Sequence, residues 1–180
     1  MTPPTLETPR LILRPFVPGD LDSVAEMLAD PDVIRYLPGG TPRTREQSER
    51  TLNFIIDHWE LHSFGWWAVA LKVTGELIGW CGLKWVETTG ETEVLYTFAQ
   101  AQWGKGYATE AARASLRYGF EALKLDRIIA VAVPENRASR HVMEKLGMTY
   151  DRIAFYYNSD LASYSITRQA FDRPSEGQEP

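Results

Sequence analysis

The chain has little of three things: cysteine, histidine and long apolar runs. One cysteine among 180 residues, Cys81, makes no internal disulfide and supplies no metal-ligating cluster, which fits a reducing compartment. Of the three histidines, His58 and His62 stand one helical turn apart, a spacing that suits a metal. No third ligand is placed nearby, so a partly exposed helix face is the expectation, and His141 reads as structural or surface. No apolar run approaches the roughly 20 residues needed to span a bilayer, and the opening MTPPTLETPR has no apolar signal segment. A soluble, cytoplasmic chain without a membrane partner is therefore expected. Positive charge is not in excess either: 19 Lys and Arg against 24 Asp and Glu leave a formal charge of −5. That argues against a nucleic-acid surface and mildly favours a cationic partner such as an amine.

What is present is enough apolar residue, 44%, to bury one substantial core. A single domain over residues 1–172 is expected, with RPSEGQEP (173–180) read as a disordered tail. Arg10 to Phe16 alternates as a first strand. Asp20 then caps a helix bearing Leu21, Val24, Ala25 and Leu28, which ends at Asp30-Pro31. Thr44 and Gln47 form a capping box ahead of a second helix carrying Leu52, Ile55, Ile56 and Trp59. The runs WWAVALK, ELIGWCGLKWV and TEVLYTFA, divided by turns at Val73-Thr74-Gly75 and Thr89-Gly90, read as an antiparallel meander. A helix with Ala108, Ala111, Ala112, Leu116, Phe120 and Leu123 on one face follows, then the strand-like RIIAVAV, which implies a parallel crossover. One more helix, from about Arg137 to Leu146, stops at Gly147 before two terminal strands around RIAFYY and SYSITRQAF. The pattern predicts a mixed α/β (α+β) sheet.

The stretch QWGKGYATEAARAS places Gly104-Lys105-Gly106 at the mouth of a helix, where free backbone N–H groups and the positive end of the helix dipole converge. Such a bend binds phosphate. It lacks the G-x-x-x-x-G-K-[ST] spacing of a nucleotide P-loop and the third glycine of a dinucleotide fingerprint. Taken alone, it is equally a loop that connects a strand to a helix.

WGKGYATEA, preceded by EVLYTF and followed by VPENRASRHVMEKLGM, resembles the GNAT superfamily of acetyl-CoA-dependent N-acetyltransferases. More narrowly, with TPRLILRPF near the start, the chain is similar to the RimJ/RimL-type ribosomal-protein N-terminal acetyltransferases. The likeness runs in order from Arg10 to Phe171. It implies a single-domain fold of about seven mostly antiparallel strands flanked by about four helices, with two central strands splayed apart as the acyl-CoA cleft. In the pattern R/Q-x-x-G-x-G/A, Trp103 takes the first position, Gly106 the fourth and Ala108 the sixth. The resemblance thus assigns coenzyme A diphosphate to the amides of Gly104, Lys105, Gly106, Tyr107 and Ala108, with Thr109 in support. Lys105 reads equally as a phosphate contact or a solvated lysine.

The resemblance further implies a bulge in the strand before the motif. Main-chain groups of Thr97, Phe98 and Ala99 would meet the pantetheine arm, and an N–H at Tyr96 or Thr97 would polarise the thioester carbonyl. Asn136 is an N-cap by local sequence and a coenzyme A contact by resemblance; Ser139 would face the sulfur. Many relatives carry a tyrosine acid seven residues after this asparagine, but Met143 stands here, which leaves Ser139 or a water to protonate the thiolate. Glu93, matching a glutamate of this branch, is the candidate base, with a solvated edge residue as the ordinary alternative and Glu91 as a weaker substitute. Cys81 and the tryptophans 66, 67, 80 and 85 read as core or sheet-face residues, one or two of the tryptophans being able to line an acceptor pocket.

The expected reaction is direct acetyl transfer from acetyl-CoA to a primary amine, with no metal. The acceptor stays open between a protein N-terminal α-amine and a polyamine, amino acid or aminoglycoside. A non-catalytic acyl-CoA sensor is the alternative from another class, and both monomer and homodimer are compatible with the sequence.

Overall fold

A single sheet runs through the molecule in the order β1-β2-β3-β4-β5-β6-β8-β7. The computed structural model describes residues 3–173. The strands are β1 (Leu6–Glu7), β2 (Leu11–Arg14), β3 (Trp66–Leu71), β4 (Leu77–Val86), β5 (Glu91–Phe98), β6 (Arg127–Ala132), β7 (Thr149–Tyr156) and β8 (Ser159–Thr167). The helices are α1 (Leu21–Ala29), α2 (Pro31–Ile34), α3 (Arg45–His62), α4 (Tyr107–Glu121), α5 (Arg137–Lys145) and α6 (Arg168–Phe171). The expected tail lies outside the described residues except for Arg173.

The expected architecture holds, with eight strands for about seven and six helices for about four among the described residues. The additions are short. β1 has two residues and pairs with β2, α2 is one turn begun by Pro31 with the Asp30 carboxylate accepting from the Asp32 N–H, and Arg168–Phe171 is helical where a strand was read. The capping box forms as expected: Thr44 Oγ1 accepts from Gln47 N, and Gln47 Oε1 accepts from Thr44 N. Asp20 does not cap with its side chain. Its carboxylate instead takes both Arg14 guanidinium nitrogens, at 2.7 and 2.8 Å, and the Val17 N–H, because a charged fork outcompetes a neutral amide.

Strand alternation sorts two cores onto the two faces of the sheet. Trp67, Val69, Cys81, Leu83, Val94, Tyr96 and Phe98 meet α4 and α5, with Ala111, Ala112, Leu116, Phe120 and Met143. Trp66, Ala68, Trp80 and Leu95 meet α1 and α3, with Val24, Leu28, Leu52 and Ile55. Burying such side chains stabilises by roughly 1.5–3 kcal/mol each. Cys81 is fully buried against Ser115, and burial pushes its thiol up to about 12, consistent with the core role read for it.

Two neighbours of β5 make the feature that matters. With β4 the register is continuous from Gly79↔Phe98 to Val86↔Glu91, so the bulge expected in β5 is absent; the irregularity in this half of the sheet lies between β3 and β4, where consecutive Val69 and Ala70 pair with Gly79 and Leu77, and Ile78 of β4 is passed over. With β6, running parallel, the strands pair only at Glu93↔Ile129. Beyond that pair they part, and no bulge is needed to open the gap.

Candidate active site

Glycines set the loop that follows β5. Gly104 (φ +75°) and Gly106 (φ +82°) lie in the left-handed region, where a Cβ is unfavourable. Alternation of this kind turns successive N–H groups toward one side, and Gly106 leads directly into α4. Among the described residues the N–H groups of Gly104 through Thr109 donate to no carbonyl or side chain, and Gly106 brings no capping side chain of its own. A cluster of unmet donors at the N-terminus of a 15-residue helix is an anion cradle.

Arg10, which plays no part in the sequence-based site, holds this cradle. Its Nη1 donates to Lys105 O (2.9 Å), its Nε pairs with Glu110 Oε2 (2.6 Å), and its guanidinium lies 4.6 Å over the Tyr107 ring. Turning the Lys105 carbonyl toward Arg10 leaves the neighbouring amides facing outward. Glu110 also accepts from Thr8 Oγ1; these bonds and the Arg10 charge outweigh its burial and keep its carboxyl below the usual range. Trp103 anchors the loop at its other end, through an indole N–H donated to Phe98 O at 2.8 Å, while its ring is half exposed. Lys105 Nζ donates to Gln102 Oε1.

In the gap between β5 and β6 the peptide groups divide by alternation. Ala99 N donates to Ile78 O, so the hydrogen-bonded pairs of this antiparallel ladder include Thr97↔Trp80 and Glu93↔Lys84. The Thr97 amide is thereby committed to β4, which removes it as an oxyanion donor and as a pantetheine contact. The groups that point into the gap are those of Tyr96 and Phe98, and the Phe98 carbonyl already accepts from Trp103.

The two faces of the gap carry different chemistry. On the α4–α5 face the Tyr96 hydroxyl lies 2.9 Å from Ser139 O and 3.0 Å from Ser139 Oγ. Burial raises the Tyr96 pKa well above the ordinary value, which keeps the phenol a proton carrier at neutral pH. Asn136 Oδ1 accepts from Ser139 N at 3.1 Å, so its side chain has the capping role, and this cap sets where Ser139 stands. Met143 is buried in the core, turned away from any acid role.

On the opposite face lies Glu93, 6% exposed. Burial raises its carboxyl pKa to about 7, against the hydrogen bond from the Tyr157 hydroxyl and the charge of Lys84. It is not a solvated edge residue. Glu91, two residues earlier on the same face, behaves oppositely: burial raises its pKa, but bonds from Tyr156 and Arg127 outweigh that and hold it down. Lys84 pairs with Glu93 across the strands, and its ammonium stands 4.1 Å over the Tyr157 ring. His58 corrects the expectation of an exposed helix face. It is 5% exposed, stacked at 5.4 Å on Trp66, and burial lowers its pKa to about 4.

Tyr157 and Arg10 were beyond sequence reasoning. Tyr157 comes from the turn between β7 and β8 and reaches Glu93 only after those strands join the sheet beside β6.

Residues 10–149 match the family described as acetyltransferase (GNAT) domain. An N-acetyltransferase named p20 from Bacillus licheniformis is 34% identical over 93% of this chain and 98% of its own. The FsC-acetyl coenzyme A-N(2)-transacetylase of Aspergillus fumigatus is 31% identical over 94% of this chain and 79% of its own. Among solved structures, a GNAT-family acetyltransferase from Bacillus anthracis superposes with a TM-score of 0.80 at 31% identity, covering 92% of this chain and 99% of that one. The splayed strands, the amide cradle and these likenesses together place the chain in the GNAT family of acetyl-CoA-dependent acetyltransferases.

Proposed function

We propose that the protein transfers the acetyl group of acetyl-CoA directly to a primary amine, with Glu93 as the base and Ser139 as the acid. The observation that carries this reading is Glu93, a buried carboxyl with a pKa of about 7 at the last point where β5 and β6 still pair. A base tuned near neutrality takes a proton from an ammonium without staying permanently charged in a dry site.

The cradle from Gly104 to Ala108, with Thr109 and Lys105, would hold the diphosphate, and the thioester would lie in the gap beside the Tyr96 N–H. The amine enters from the face of Glu93, loses a proton to that carboxylate and attacks the thioester carbon. As the tetrahedral intermediate forms, the Tyr96 N–H stabilises its oxyanion. The C–S bond then breaks, the thiolate takes a proton from the Ser139 hydroxyl, and the second proton of the former ammonium leaves the amide nitrogen to solvent, from which Ser139 is replenished through Tyr96. Base and acid thus stand on opposite faces of the sheet with the gap between them. The likeness of the opening segment and the acetyl-CoA motif to the RimJ/RimL-type branch favours a protein N-terminal α-amine as acceptor.

Release of free thiol from acetyl-CoA, followed against a panel of amines and ribosomal-protein peptides with mass spectrometry of the products, tests this reading. N-acetylated product in step with thiol is expected, with a rate lost by roughly 10²–10⁴-fold in Glu93→Gln. Coenzyme A binding without turnover of any amine, or an unaltered rate in Glu93→Gln, would overturn it.

A further inference from the structure

The sheet face that carries Glu93 also carries polar groups with no partner among the described residues. Trp66 pairs with Gly82, and Lys84, two residues further along β4, pairs with Glu93, so the three side chains of Trp66, Lys84 and Glu93 share one face. The Lys84 ammonium is half buried, and among the described residues no carboxylate oxygen lies within ion-pair distance of it. Trp66 Nε1 and His58 Nε2 are buried with no hydrogen-bond partner. Their rings stack nearly parallel, interplanar angle 12°, and the exposed Phe54 ring leans on both. An unmet buried polar nitrogen, whether the indole N–H of Trp66 or the Nε2 of a neutral His58, is costly and calls for a reason. Here two such groups lie on the sheet face that carries Glu93, whose only side-chain donor among the described residues is Tyr157.

This inventory has a complement: one amine for Glu93, and one or two oxygens, with no second positive charge, for the donors. We infer that Lys84, flanked by Trp66 and His58, forms the polar end of the acceptor subsite, taking an amine whose adjacent carbon bears a carbonyl or carboxylate group and turning away diamines and polyamines. The inference rests on the acetyl-transfer reading for the position of the amine. A carbonyl oxygen three bonds from a nitrogen held at Glu93 falls toward Lys84, because directly opposed residues of an antiparallel pair have Cβ atoms about 5 Å apart. A second ammonium there would meet the like charge of Lys84. The aromatic wall of Phe54 and Trp66 suits whatever apolar side chain the acceptor carries.

The test compares kcat/KM for glycinamide, glycine, an alanine-initiated tetrapeptide, ethylamine and spermidine in the wild type, Lys84→Met and Lys84→Arg. The wild type is expected to favour glycinamide over ethylamine by at least about tenfold and to use spermidine worst. Lys84→Met should collapse that ratio to within about threefold, and Lys84→Arg should restore it. Because the ratio is compared between variants, the unequal basicity of the amines and any change at Glu93 cancel. Preference for glycine over the tetrapeptide identifies a free carboxylate, and the reverse a main-chain carbonyl. A ratio unmoved by Lys84→Met, or spermidine as the best acceptor, overturns the inference. Should no amine turn over, acetyl transfer falls, and calorimetric binding of N-acetylglycine to the coenzyme A-loaded protein decides the subsite. Binding weakened about tenfold in Lys84→Met, with coenzyme A affinity unchanged, sustains it; equal binding, or none in the wild type, overturns it.

Discussion

The Tyr157 hydroxyl donates a hydrogen bond to the Glu93 carboxylate, joining residues 64 apart in sequence across the face of the sheet. That bond and the Lys84 charge favour the ionised form, while burial favours the neutral one and prevails. The rate kcat/KM should therefore rise with pH through a limb near 7. Tyr157→Phe removes a hydrogen bond that lowers the pKa, so the limb should move to higher pH with little change at its plateau; Glu93→Gln should abolish it. A pH–rate profile of each variant checks this, and a limb unmoved in Tyr157→Phe would count against the assignment.

His58 and Glu93 make opposite contributions to stability against pH. Glu93 has a folded pKa raised to about 7, so its contribution is full below the unfolded value of 4.5 and is lost as pH rises through 7. His58 has a folded pKa lowered to about 4, so its contribution is full above 6.5 and is lost as pH falls toward 4. Each effect is on the order of 3 kcal/mol, and the two largely cancel between those limits. Glu93→Gln should steepen the loss of stability on acidification, whereas His58→Phe should reverse it. Denaturant midpoints across this range measure both slopes.

Arg10 organises the amide cradle from outside it. In Arg10→Ala the Lys105 carbonyl is released and the cradle must be ordered by the ligand, so acetyl-CoA should bind about 5–20-fold more weakly. Global stability should change little, because the Arg10 side chain is half exposed and its ion pair is screened. Titration calorimetry together with a melting curve separates the two, and an unchanged Kd would remove Arg10 from the site.

Ser139 and Tyr96 should behave as a unit. Since a coenzyme A thiolate leaves readily, Ser139→Ala is expected to lower kcat by roughly tenfold, short of the loss at Glu93. Tyr96→Phe should lower it less, and the double variant should be no worse than Ser139→Ala alone. Multiplying effects in the double variant would mean that Tyr96 does not act through Ser139.

The elements legible in sequence were those whose cause is local. The capping box at Thr44 and Gln47, the stop at Gly147 (φ +82°) and the periodicity of α4 all depend on residues within a few positions of one another. Asp20 misled because a helix-capping residue by local rule found Arg14 in space. His58 misled because exposure of a helix face is decided by what packs there, in this case Trp66.

By itself the sequence determined the glycine loop at the mouth of α4. The glycine positions, the helix they open and the strand before them form one contiguous stretch, and backbone conformation follows from such local constraints. Tertiary structure alone decided the surroundings of Glu93. Glu93 acquires its pKa from burial and from Tyr157 and Lys84, and the gap beside it exists because β6 meets β5 at one pair and then diverges. Burial and strand divergence are properties of the assembled sheet, set by contacts between residues far apart in the chain.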